Sequence, residues 1–190
     1  MSILSRLGAV LLLCVAGIVH ADDAAPTGDQ ANAAETKKTV EFDGQTLVLA
    51  YEADSDGDTI QEFIPADETL DSWTSLAAVR EHAELDDPQE FAEKVVEQLE
   101  KRDPPANYEL LANPNTGEVI LNFIVWPEDL AYAEFNLFRY RPKEGGGLTS
   151  YQYALRAYGD DKEKFIAGMD AEKRAKLIAA IIEMGAHPSE

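Results

Sequence analysis

The chain has 190 residues, 45% of them hydrophobic, and a formal charge of −20 from 16 Lys and Arg against 36 Asp and Glu. That length and apolar content suffice for one domain with its own core. The charge repels nucleic acid and anionic membrane surfaces, so neither is an expected partner.

Residues 1–21 read as a secretory signal peptide. Arg6 precedes an apolar run over 7–19 that is too short to span a bilayer, and Val19-His20-Ala21 offers a small-residue cleavage site before Asp22-Asp23. Cys14, the only cysteine, lies inside that run behind Leu13 rather than behind the small residue that lipid anchoring requires. Cleavage leaves 15 basic and 36 acidic residues, a charge of −21, and no thiol. Disulfides, thiolate metal sites and a thiol nucleophile are thereby excluded from the remainder. The expected location is periplasmic or secreted, without membrane insertion. Residues 22–38 carry no aromatic or large aliphatic side chain and predict a flexible tail. One α+β domain is expected over 39–187, with no internal repeat.

Residues 40–42 predict a short strand, and Asp43-Gly44 a turn into a second strand over 45–53. Asp54-Ser55-Asp56-Gly57-Asp58 interrupts the pattern before a strand over 59–64, which makes a β-hairpin. Residues 73–82 fit a helix through Trp73, Ala77 and Arg80, and a strand through Trp73, Ser75, Ala77 and Val79; the strand is the reading adopted. Asp87-Pro88 then supplies an N-cap with proline at the first helical position. Phe91, Val95, Val96 and Leu99 recur at helical spacing up to Lys101-Arg102, and Asp103-Pro104-Pro105 stops the helix.

Strands over 108–112, 118–126, 130–141 and 148–158 complete a meander, with turns at 113–117 and 127–129 and a loop over 142–147. A helical stretch over 160–185 carries Phe165, Met169, Leu177, Ile178, Ile181 and Ile182 on one side. Gly168-Met169-Asp170 is a break or restart within it, and Gly185 a C-cap. The fold class expected is α+β: a twisted antiparallel sheet of about six or seven strands packed with two helices.

That order, with Glu62-Phe63-Ile64-Pro65 followed after a polar spacer by Ser72-Trp73-Thr74, resembles small exported bacterial proteins of the Mog1/PsbP-like fold group. The resemblance covers most of 39–185. It implies a sandwich of that type and a non-catalytic binding or accessory role, with an envelope protein or a small ligand as partner. No functional residue is carried over from it.

The acidic run at Asp54 fails as a calcium loop, because Thr59 stands where glycine is required and Pro65 where the bidentate glutamate belongs. Beyond the leader only His82 and His187 remain, neither at ligand spacing, and no nucleophile elbow is present. No metal, cofactor or catalytic residue is assigned. Gly145-Gly146-Gly147 reads as a flexible loop, since a strand rather than a helix follows it.

The candidate ligand-binding residues are Asn122, Glu134, Arg139, Tyr140 and Arg156. A tight turn at 127–129 pairs residues whose numbers sum to about 256, and the 142–147 loop pairs residues that sum to about 290. Asn122 then faces Glu134, and Glu134 faces Arg156. Asn136, Tyr140, Gln152 and Trp126 share that side, opposite an apolar side of Val119, Leu121, Phe123, Phe135, Leu137, Tyr153 and Leu155. Such a stripe suits a ligand-binding face, or a structural ion pair beneath the C-terminal helix; the second is the reading adopted. Arg139 and Arg141, alternating with Tyr140, suit an anionic ligand or pairing with the chain's own carboxylates. The rivals to a binding protein are a small enzyme built around Glu134 and Arg156, and a cation-binding protein.

Overall fold

A computed structural model describes residues 38–102, 107–127 and 131–184. The expected leader with Cys14, residues 22–37 of the expected tail, Asp103-Pro104-Pro105, Glu128, Asp129, Gly185 and His187 lie outside the described residues. Eight strands form one antiparallel sheet: β1 (Thr39–Phe42), β2 (Gln45–Ser55), β3 (Asp58–Ile64), β4 (Ser75–His82), β5 (Tyr108–Ala112), β6 (Val119–Val125), β7 (Tyr132–Pro142) and β8 (Leu148–Tyr158). Helix α1 (Pro88–Arg102) links β4 to β5. A 3-10 turn (Gly159–Asp161) leads from β8 into α2 (Lys162–Gly168) and α3 (Ala171–Glu183). The expected six or seven strands and two helices are corrected to eight strands and three helices. The short edge strands β1 and β5 both pair, residues 75–82 are extended, and the C-terminal helix divides at Met169.

The strand order β1-β2-β3-β4-β8-β7-β6-β5 follows from two four-stranded meanders joined through α1. Their inner edges close on each other, from Ser75 opposite Leu155 to His82 opposite Leu148. Local chemistry explains the short connections. Asp43-Gly44 and Asp56-Gly57 all have positive φ, as a two-residue hairpin turn matched to strand twist demands. Asp87 Oδ1 accepts from the Gln89 and Glu90 N–H groups at 2.9 and 3.0 Å and caps α1. Asp170 restarts the last helix by accepting from Lys173 N at 2.9 Å.

The two sheet faces bury different chemistry. On one, Leu177, Ile181 and Met184 at the α3 end join Phe42, Leu47, Phe63, Ala77, Phe135, Leu137 and Tyr153 in an apolar core. On the other, α1 buries Phe91, Val95 and Leu99, and Phe91 meets the Tyr140 ring edge-on at 5.1 Å. Trp73 lies outside β4 and folds back onto Ile64, Leu76, Ala78 and Ala154. This second face also carries most of the buried polar side chains, among them Arg80, Glu134, Asn136, Gln152 and Arg156, and strand register decides which ones meet.

Candidate functional site

A file of hydrogen-bonded side chains crosses four strands on the α1 face. Glu62 Oε1 of β3 accepts from Arg80 Nη2 at 3.0 Å; Arg80 Nη1 of β4 donates to Gln152 Oε1 at 2.7 Å. Gln152 Nε2 of β8 donates to Asn136 Oδ1 at 2.8 Å, and Asn136 Nδ2 of β7 to Glu134 Oε1 at 2.7 Å. Arg156 Nε closes the file on Glu134 Oε2 at 2.6 Å. Alternation along each strand puts these residues on one face, and pairing brings them side by side.

Glu134 and Arg156 are opposite each other, as the sequence predicts. They are 1% and 7% exposed, so the pair is interior. The C-terminal helix does not cover it: α3 packs on the far face, against Phe135, Leu137 and Tyr153. Aromatic rings do. The Arg156 guanidinium carbon stands 3.9 Å from the Trp73 ring centre and 4.2 Å from that of Tyr132, on either of which a cation is attracted by the ring quadrupole. Burial pushes the Glu134 carboxyl above its usual range, against the pull of Arg156 and of the Asn136 amide. Burial also raises Glu62 at the other end of the file, against Arg80.

Asn122 does not join them. Residues 126–131 separate β6 from β7, so the pairing is three residues out of step with a tight turn: Asn122 faces Leu137, and Val125 faces Glu134. An odd shift turns a strand over. Val119, Leu121 and Phe123 consequently share the face of Glu134, while Asn122 lies under the C-terminal helix, where it donates to Glu109 and its Oδ1 accepts from Arg174 Nη1 at 3.0 Å.

Arg139 and Tyr140 fall on opposite faces. Arg139 Nη1 donates to the carbonyls of Ile182 and Met184 at 2.7 and 3.0 Å, tying down the end of α3, and Nη2 donates to Glu118 at 2.8 Å. Arg141 Nε is 3.4 Å from the same Glu118 carboxylate. Both arginines are thus paired within the chain, and Tyr140 is buried beneath Phe91.

Arg80, Glu62, Trp73 and Tyr132 were not foreseen as members of this site. Arg80, two residues beyond the small apolar pair Ala77-Ala78, was the available signal, but one of its partners, Gln152, comes from a strand 72 positions away. His82 is buried, with Nε2 3.1 Å from Ser150 Oγ, and burial lowers its pKa. A shallow cleft lined by Leu99, Arg102, Phe123, Val125 and the exposed Trp126 lies beside the Glu134 end of the file. Among the described residues no three His, Cys, Asp or Glu side chains are placed to hold a metal ion, and no helix is long and apolar enough to cross a membrane.

A protein-family model matches residues 34–186. Comparison with curated proteins and with solved structures returned no significant match.

Proposed function

Because the chain belongs to that uncharacterised family, we propose a function from its site alone: a non-catalytic binding or accessory protein of the bacterial envelope, exported and cleaved after Ala21. One observation carries this reading. Each member of the polar file is hydrogen-bonded to another member of it, so its charges are occupied inside the fold instead of being offered to a substrate. A buried pair of this kind specifies a structure, and contact with a partner is left to the surface. The Mog1/PsbP-like resemblance belongs to this proposal, as do the flexible acidic tail and the periplasmic or secreted location.

Two measurements on one preparation test it. Protein recovered from the envelope fraction should have an intact mass beginning at Asp22, and cross-linking in whole cells should give one reproducible envelope partner at a fixed ratio. Retention of residues 1–21 overturns the export proposal. Turnover of a substrate that is abolished in a folded Glu134→Gln variant overturns the non-catalytic one.

A further inference from the structure

One corner of the fold is tied together by side-chain carboxylates around a buried histidine. The five residues between β4 and α1, 83–87, are tied to the sheet by carboxylates: Asp58 Oδ1 of β3 accepts from Ala83 N at 2.9 Å, and Asp86 Oδ1 accepts from Gly147 N at 2.7 Å. Asp87 caps α1 itself. His82, 4% exposed, ends β4 at the same point, with its ring 5.4 Å from that of Phe91 in the first turn of α1. Gly147 runs so close that a Cβ there would lie 2.7 Å from the His82 carbonyl oxygen, so the β7–β8 loop and the connection form one packed joint.

We propose that this joint is an acid-sensitive release: proton uptake at His82 frees the 83–87 connection and the first turns of α1, while the sheet beneath keeps its pairing. The closed corner asks for opposite protonation states at once, ionised carboxylates as acceptors and a neutral imidazole in an apolar setting. A proton added to His82 must be buried. Against the ring stand Ser150 from β8 and Phe91 from α1, with Tyr140 of β7 behind it, and the charges that act on it are those of Asp58 from β3 and of Arg80 and Glu81 from its own strand. Asp58 and Glu81 favour the cation. Burial and Arg80 oppose it, and burial dominates, which holds the ring below its ordinary value of 6.5.

An opened corner returns His82 to water and takes up the proton that the closed one refuses. The opening equilibrium should therefore rise, by at most about tenfold per pH unit, as pH falls below the ordinary histidine value, until the closed form is also protonated. β7 and β8 do not share this linkage: they pair along eleven residues, and their buried carboxyl, Glu134, gives up a proton on exposure where His82 takes one up. Opening would uncover Phe91 and Tyr140, on which Phe138 stacks, an apolar surface exposed more often in acid. The inference goes beyond the proposed envelope role and does not depend on it.

Hydrogen exchange of the intact protein between pH 5 and 7.5, corrected for the intrinsic pH dependence of exchange, tests the release. Peptides covering 83–102 should lose protection as pH falls, by up to about tenfold per unit, while peptides covering 132–141 and 150–158 do not, and His82→Gln, which keeps a partner for Ser150 without titrating, should flatten that slope. Parallel loss in both regions, or an unchanged slope in His82→Gln, overturns the proposal. Should His82→Gln fail to fold, the ring resonances of His82 in the natural chain decide: titration below the free-histidine value sustains the release, and titration at or above it refutes it.

Discussion

At the scale of single residues, what matters is which charges the fold can afford to bury. Glu134 is held up by burial and His82 is held down by it, and the two leave opposite marks on stability. A folded-state carboxyl pKa above the unfolded one means that the folded chain binds more protons, so the Glu134 contribution is present at low pH and is lost as pH rises through the folded value. A depressed histidine does the reverse, and its contribution is lost as pH falls below 6.5. Urea titrations at several pH values should show the stability difference between the natural chain and Glu134→Gln shrinking as pH rises from 4.5 toward neutrality. A difference that grows over that range would mean Arg156, not burial, controls the group. Gly147 is a second single-residue case. Its φ of +87° and the 2.7 Å approach to the His82 carbonyl leave no room for a side chain, so Gly147→Ala should lower unfolding free energy by about 1–3 kcal/mol in denaturant titration. Gly145→Ala, with no atom within 4 Å, should suffer only the φ penalty and cost less.

At the scale of elements, the sequence was legible wherever local chemistry decides. Asp-Gly pairs placed the β1–β2 and β2–β3 turns, Asp87-Pro88 placed the start of α1, and Gly168-Met169-Asp170 marked the division between α2 and α3. The loop between β7 and β8 was short enough for its length to set the register, and Glu134 was correctly placed opposite Arg156. The connection between β6 and β7 was not, because it is longer than the tight turn read from Pro127; the error of three turned β6 over and put Asn122 on the wrong face. The β4–β8 closure was beyond reach, since no local residue pattern specifies a pairing between meanders. The acidic hairpin offers a further test. Asp56 sits at a φ of 55°, which asparagine tolerates, and is exposed, so Asp56→Asn should change stability by less than about 0.5 kcal/mol. Differential scanning calorimetry should also find the same melting temperature with and without millimolar calcium. A calcium-dependent rise, absent in Asp56→Asn, would restore the cation-binding reading.

For the whole molecule, the polar file does what backbone pairing alone cannot: it makes one arrangement of two meanders better than its neighbours. A slip of β8 along β4 would leave both Arg80 and Gln152 without the partners they have now, inside a face that α1 and Trp73 cover. Stranding a buried charge is expensive, whereas replacing both partners by apolar groups is much less so. The central claim, that this file is part of the architecture instead of a site of action, is tested most directly by a double-mutant cycle on Glu134 and Arg156 read by urea denaturation. Arg156→Leu alone should cost about 3–5 kcal/mol, and Glu134→Leu/Arg156→Leu should recover much of that loss, so that the two changes are strongly coupled. Single variants that fold with near-native stability, and that instead lose an envelope partner found by cross-linking, would contradict the account.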